Sequence, residues 1–322
     1  MKASVNTRYG PPEVLEIKDL PKPIPAKGEV LIKMMATTVN RTDCGFRNPE
    51  YLLVRLISGW WKPRRTVLGS EVSGIVEAVG ADAKLFKPGD EVFGLSTFLF
   101  GTHAEYLCIP ENKAITLKPK NISFHEAAAI CDGAFLAWAN LKKFDLSKIK
   151  TILINGASGS IGTAAVQLAK QAGVHVTAVC NPASMSIVKS LGADVLIDYT
   201  KEDFTSCGQH FDLVLDAVGK SSFFKCRKIL KPKAVYISSE LGFMAQNIFL
   251  PLITLVSPGK KVMFPIPRDT KEDMELFRSL VEAGKYRAVI DRTYSLDQIV
   301  EATRYVERGE KIGNVVIDIH AA

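Results

Sequence analysis

The segment Asn155-Gly156-Ala157-Ser158-Gly159-Ser160-Ile161-Gly162 constrains this chain more than any other. It follows the apolar run Thr151–Asn155, which has the length and composition of a buried strand. It opens onto Thr163-Ala164-Ala165-Val166-Gln167-Leu168-Ala169-Lys170, whose apolar spacing is that of an amphipathic helix. Glycines stand at every third position, 156, 159 and 162. The first suits a tight turn, the second lets backbone approach a pyrophosphate, and the third allows close helix–strand packing. The helix N-terminus adds free N–H groups and a partial positive charge at the same point. Three glycines alone signify little. The strand before them and the helix after them make Gly156, Ser158, Gly159, Ser160, Ile161 and Gly162 the candidate phosphate cradle of a dinucleotide site.

The chain around this turn changes style near residue 123. Earlier, short apolar runs such as Glu29–Met34 and Val72–Val79 are cut by Lys87-Pro88-Gly89-Asp90 and Ile109-Pro110-Glu111-Asn112. Strand-length runs bounded by turn residues imply a barrel or sandwich. Ser123 and Glu126 have capping-box spacing for a helix. Strands at 151–155, 174–179, 195–197, 211–216 and 234–238 then alternate with helices at 161–172 and 184–191, which implies a parallel sheet covered on both faces. Two helices, 271–283 and 296–308, precede a last strand at 314–319. The 322 residues suit two domains.

The end of the second strand of the alternating region selects between cofactors. An acid there binds the ribose 2′-hydroxyl of NAD. This chain has Val179-Cys180-Asn181-Pro182-Ala183-Ser184, with no acid. Uncharged Asn181 tolerates a 2′-phosphate, so NADP(H) is favoured over NAD.

Composition excludes several other classes. Hydrophobic residues make up 47% and charged residues 23%, which rules out a disordered chain. The six cysteines form no Cys-x-x-Cys pair, a pattern of reduced thiols and a cytoplasmic protein rather than of a disulfide framework or zinc ribbon. No signal peptide is evident behind Met1-Lys2-Ala3. The run Ile248–Val256 is about half the length needed to cross a bilayer and reads as a buried helix, so no membrane partner is expected. The net charge of +7 leaves room for nucleic acid. The charges are dispersed, however, with Lys62–Arg65 the densest cluster, so nucleic acid is not the expected partner.

Several blocks together resemble the zinc-independent branch of the medium-chain dehydrogenase/reductases, the quinone oxidoreductase-like proteins. They are Ala36-x-x-x-Asn40-x-x-Asp43, Gly69-x-Glu71-x-x-Gly74-x-Val76-x-x-Val79-Gly80 and Gly89-Asp90-Glu91-Val92-Phe93-Gly94. Ala104-Glu105-Tyr106, Ala127-Ala128-Ala129, the Gly156–Gly162 turn, Asp216-Ala217-Val218-Gly219 and Gly313-Asn314-Val315-Val316 complete the series, which spans nearly the whole chain. The resemblance implies an α/β fold: a GroES-like β-barrel catalytic domain, residues 1–122 and 267–322, and a Rossmann doubly wound parallel-sheet domain, residues 123–266.

The resemblance also implies roles. Asn40 would lie beside the nicotinamide ribose as a catalytic and cofactor-binding residue. Tyr51 is a candidate proton donor, although Tyr51-Leu52-Leu53-Val54 suits packing. Tyr199 would stand near the 2′-phosphate, Val218 and Gly219 close to the nucleotide, Ser238 and Ser239 near the carboxamide, and Asn314 over the cofactor. Zinc-dependent members hold their metal through two Cys and a His. Asn40 and Ser70 stand at two of those positions, and the third falls near Asp132, so no metal is expected. Without a Lewis acid, the implied substrates are small molecules that already accept hydride, quinones and α,β-unsaturated carbonyls. Family members are commonly homodimers. The rival readings are a nucleotide- or RNA-binding protein with little turnover and a zinc-type alcohol dehydrogenase, the latter disfavoured by Asn40 and Ser70.

Overall fold

The structure, a computed structural model, describes every residue except Tyr51, Phe98 and Ala322. It divides into two compact units, Met1–Asp132 with Asp269–Ala322, and Gly133–Arg268.

The first unit begins with β1 (Lys2–Val5), β2 (Glu16–Asp19) and β3 (Glu29–Val39), then α1 (Arg41–Arg47) and α2 (Leu52–Ser58). It continues with β4 (Glu71–Val79), β5 (Glu91–Leu95), β6 (Tyr106–Pro110) and β7 (Ile115–Leu117); α3 (Phe124–Leu141) begins in it and ends in the second unit. Ser123 and Glu126 form the expected capping box at the start of α3: the Ser123 N–H donates to Glu126 Oε2 at 2.8 Å and the Glu126 N–H to Ser123 Oγ at 3.2 Å.

The second unit contains β8 (Thr151–Asn155), α4 (Ser160–Gln171), β9 (His175–Cys180), α5 (Met185–Ser190), β10 (Val195–Asp198) and β11 (Phe211–Asp216). α6 (Phe223–Cys226), β12 (Leu230–Ser238), α7 (Gln246–Val256) and β13 (Lys261–Met263) complete it. The chain then returns to the first unit through α8 (Lys271–Glu282), β14 (Ile290–Ser295), α9 (Ile299–Arg308) and β15 (Asn314–Asp318).

The sheet of the second unit runs β10-β9-β8-β11-β12-β13, and every pair in it is parallel. β8 and β11 are central, so Leu153, Ile154, Leu213, Val214 and Leu215 are all buried, as strands covered on both faces must be. The order reverses between β8 and β11, the switch point where doubly wound sheets bind ligands.

The larger sheet of the first unit runs β14-β15-β3-β4-β5-β7, with β6 also paired to β3. Long β3 bridges three neighbours, β15, β4 and β6, all antiparallel. Its core collects Val30, Ile32, Met34, Val72, Val92, Ile109, Ile115, Val315 and Ile317, with Ile299 and Val306 of α9 laid against them.

The run Ile248–Val256 corrects the reading of a buried helix. It is helical, as the body of α7, but Phe249, Leu252, Ile253, Leu255 and Val256 are exposed; Leu250 and Thr254 form its buried side. Apolar composition reports affinity for an apolar surface, and among the described residues only one side of α7 meets one.

Candidate functional site

The glycine turn lies between β8 and α4, and its three glycines differ in what confines them. Gly156 has φ +78°, and a Cβ there would come within 2.3 Å of Val218 Cγ1. A Cβ on Gly162 would meet the Gly156 carbonyl oxygen at 2.1 Å. Packing therefore forces both to be glycine. Gly159 is the N-cap of α4 with φ −76°, an ordinary value, and a Cβ there meets nothing nearer than 3.8 Å. The protein leaves open space at the one glycine whose expected use is a close ligand approach. The Gly159 N-cap carries no side chain to cap this helix start, and a helix N-terminus is by its nature a site for an anion. Ser158 belongs to the turn, while Ser160, Ile161 and Gly162 open α4.

Gly133, which the sequence reading passed over, shapes the same place. A Cβ on it would strike Ser160 Oγ at 2.2 Å and the Ser160 carbonyl at 2.7 Å. The Ala-rich stretch leading to it was the available signal.

Asp216 fastens the strand ends around the turn. Fully buried, it accepts from Asn155 Nδ2 at 3.0 Å, from the Ser221 N–H at 2.9 Å and from the Tyr236 hydroxyl at 3.1 Å. Burial and the Asp216 charge push the Tyr236 phenol well above its usual range. Beyond Asp216, Val218 packs on Gly156, and Gly219 takes φ +64° with Glu240 pressed where its Cβ would be. Ser238 ends β12 and exchanges hydrogen bonds with the Glu240 backbone, while the Ser239 N–H donates to the Asp216 carbonyl at 3.1 Å.

Asn181 and Tyr199 are brought together at the sheet edge, because Cys180 of β9 pairs with Asp198 of β10. Asn181 Oδ1 caps the next turn, accepting from the Ser184 N–H and hydroxyl at 3.1 and 2.7 Å. Exposed Tyr199 follows Asp198, whose carboxyl is held below its usual range by hydrogen bonds from Thr200. This acid sits one strand further out than the position that distinguishes NAD from NADP.

The first unit carries a separate buried polar cluster. Asn40 and Asp43 cap α1 reciprocally: the Asp43 N–H donates to Asn40 Oδ1 at 2.9 Å, and the Asn40 N–H to Asp43 Oδ2 at 3.0 Å. Asn40 Nδ2 donates to Ser70 Oγ at 3.1 Å and to both Glu71 oxygens at 3.1 and 3.2 Å. Thr38 and Ser70 hydroxyls also donate to Glu71. Desolvation, then the Asp43 charge, holds Glu71 above its usual carboxyl range despite these donors. Burial also raises Asp43, to about 7, against the N–H groups of Asn40 and Gly69 that it accepts.

This donor set does not fit catalytic zinc. The Asn40 oxygen is committed to an N–H, its nitrogen is a donor, and a hydroxyl replaces imidazole at Ser70. Burial keeps the Cys131 thiol well above its usual range, and its Sγ lies 3.2 Å from the Ala127 carbonyl. His103 Nε2 is engaged with the Thr38 carbonyl at 2.9 Å and lies 3.8 Å from Asp43 Oδ2, and burial holds its pKa below the usual range.

Two members of this environment escaped the sequence reading or stood at its margin. Asp132 is raised well above its usual range by burial and by Glu71 and Asp43; Lys311 is lowered by burial while Asp132, Glu71 and Asp291 oppose that shift. The Lys311 ammonium donates to the Gly313 carbonyl. Asn314 opens β15, buried, with its backbone N–H and Nδ2 both on the Val289 carbonyl at 2.9 and 3.1 Å. Asn40 and Asn314 thus belong to the first unit, and the other described site candidates to the second. Tyr51 lies outside the described residues.

Residues 26–120 match the alcohol dehydrogenase GroES-like domain family, and residues 191–317 the zinc-binding dehydrogenase family. The chain is 34% identical to 2-methylene-furan-3-one reductase of Solanum lycopersicum, over 98% of this chain and 79% of that protein. It is 30% identical to the chloroplastic NADPH-dependent alkenal/one oxidoreductase of Arabidopsis thaliana, with the same coverage. The quinone oxidoreductase of Coxiella burnetii superposes with a TM-score of 0.88 at 27% identity, covering 99% of both chains.

Proposed function

Since the chain belongs to the medium-chain dehydrogenase/reductases, in their quinone oxidoreductase-like branch, we propose that it reduces a quinone or an α,β-unsaturated carbonyl with NADPH, by direct hydride transfer and without zinc. The observation that carries this reading is Gly159, an N-cap glycine that nothing in the protein's own packing requires. When bound, NADPH supplies the hydride. The N–H groups at Ser160 and Ile161 hold its pyrophosphate, with Gly156, Ser158 and Gly162 shaping the cradle. Val218, Gly219, Ser238 and Ser239 line the strand ends toward the nicotinamide half. Asn181 and Tyr199 take the 2′-phosphate.

The zinc-free part rests on the chemistry of Asn40, Ser70 and Glu71. Acceptors conjugated to a carbonyl take hydride without a metal, so the protein need only position them and exclude water. The reading extends to a homodimer, which the exposed apolar face of α7 and the sheet-edge position of β13 support. It also extends to the cytoplasm, which six free cysteines support. No helix among the described residues is long and apolar enough to cross a membrane.

The test follows loss of NADPH absorbance by the purified protein against a panel of quinones, enones and saturated aldehydes, with and without chelator. Turnover of quinones or enones that survives the chelator is expected. No turnover with any acceptor, or aldehyde turnover that the chelator abolishes, overturns the proposal.

A further inference from the structure

Between Glu50 and Glu71 the chain has no acidic residue and four basic ones, Arg55, Lys62, Arg64 and Arg65. The same stretch, α2 and the turn after it, exposes Leu52, Leu56, Ile57, Trp60 and Trp61, with Trp61 at 87% and Leu52 at 62%. This is not a loosely attached end. The Arg64 N–H donates to the Ser58 carbonyl at 2.8 Å, and the Tyr9 hydroxyl to the Gly59 carbonyl at 2.6 Å. Gly59 has φ +126°, and a Cβ there would lie 2.1 Å from the Lys62 carbonyl, so the turn is tight and its tip presents both tryptophans. Their rings meet edge to face at 6.4 Å, with Trp60 45% and Trp61 87% exposed.

The charges are equally uncommitted. Lys62, Arg64 and Arg65 are exposed, and no carboxylate among the described residues is within ion-pair distance of them. Arg55 lies over the Tyr9 ring at 5.1 Å. Behind the patch is a cavity of about 230 Å³ that shares Ile57, Arg64 and Arg65 with it and is floored by Phe46, Leu68 and Phe100.

We propose that this face docks peripherally on an anionic lipid surface. Leucine and isoleucine tips enter the acyl boundary, and tryptophans suit the headgroup layer because an apolar body carries one polar N–H. Unpaired cations complement anionic headgroups. A lipophilic molecule leaving the bilayer would meet the cavity first. Composition alone excluded a membrane because no run is long enough to span one; lying on the surface needs only this exposed, basic, aromatic patch. The proposal does not depend on the reaction assigned above.

The experiment is co-sedimentation of the full chain with vesicles of phosphatidylcholine alone or mixed with phosphatidylglycerol, at low and high salt. Binding to the mixed vesicles, lost with salt and accompanied by a blue shift of tryptophan emission, is expected. The Arg64→Glu/Arg65→Glu variant is expected to lower the partition coefficient on the order of 100-fold. Trp61→Ser is expected to weaken binding and reduce the blue shift, with both variants keeping the parent's thermal midpoint. No binding to anionic vesicles at low salt overturns the proposal. So does binding that both variants retain in full, or a Trp61→Ser variant whose only change is in self-association.

Discussion

The Asn40 side-chain nitrogen stands 3.1 and 3.2 Å from the two oxygens of Glu71, and 3.1 Å from the Ser70 hydroxyl. An amide therefore stands as a donor to a buried hydroxyl and a buried carboxyl, where a metal ligand would need a free lone pair. Asn40→Ala removes the cap of α1 and leaves the buried Glu71 carboxyl short of a donor. A loss of about 2–4 kcal/mol is expected, read from the denaturant midpoint. An unchanged midpoint would show that the network does not hold this loop.

The glycine turn separates binding from folding. Gly159→Asp introduces a side chain into open space at an N-cap, a position where aspartate is favoured. Its thermal midpoint should equal or exceed the parent's, while NADPH affinity should fall about 100-fold or more, or ~2.8 kcal/mol, because a carboxylate faces the pyrophosphate. Gly162→Ala does the reverse first: its Cβ collides with the Gly156 carbonyl and lowers stability. Fluorescence titration with NADPH and thermal melts of the two variants check the contrast.

Asp43 makes stability depend on pH in a window that its burial defines. Its pKa is raised from 3.8 to about 7, so the folded state binds the proton more tightly than the unfolded chain. Stability from this group is fully present below about pH 4 and declines as pH rises toward 7, by a few kcal/mol at most in order of magnitude. Glu71 and Asp132 are raised in the same direction. Asp43→Asn removes one share of that slope. The variant should gain on the parent as pH increases from 4 to 7 in urea titrations, and parallel pH profiles would contradict this assignment.

The parts legible in the sequence were those encoded locally. The Gly156–Gly162 spacing, the Ser123–Glu126 cap and the apolar strands β8 and β11 each carry their signal within a few residues. β14 was missed because Asp291, Arg292 and Thr293 make it look like a loop; it becomes a strand through parallel pairing with β15, a distant segment. α1 was missed although Asn40 and Asp43 have the spacing of a cap, because Cys44 and Gly45 weaken the helical pattern. Lys311 went unread because its acidic neighbours Asp132, Glu71 and Asp291 come from separate parts of the chain. The exposure of α7 and of Trp61 was equally illegible, since composition does not say whether an apolar run finds a partner within its own fold.

Asp216 ties three strand ends together beside the turn. Tyr236→Phe deletes one donor to a fully buried carboxylate and should cost about 1–2 kcal/mol. Asp216→Ala orphans the Asn155 amide, the Ser221 N–H and the Tyr236 hydroxyl together, and should cost about 3 kcal/mol or more. Asp216 also accepts a longer bond, 3.4 Å, from the Val218 N–H, and Val218 packs on Gly156. Its loss should therefore weaken NADPH binding as well as the fold, whereas Tyr236→Phe should leave affinity within about twofold. Denaturant midpoints and NADPH titrations on the same two variants separate these effects. Equal affinity in both, at temperatures where both are folded, would mean that the Asp216 network supports the sheet without positioning the nucleotide turn.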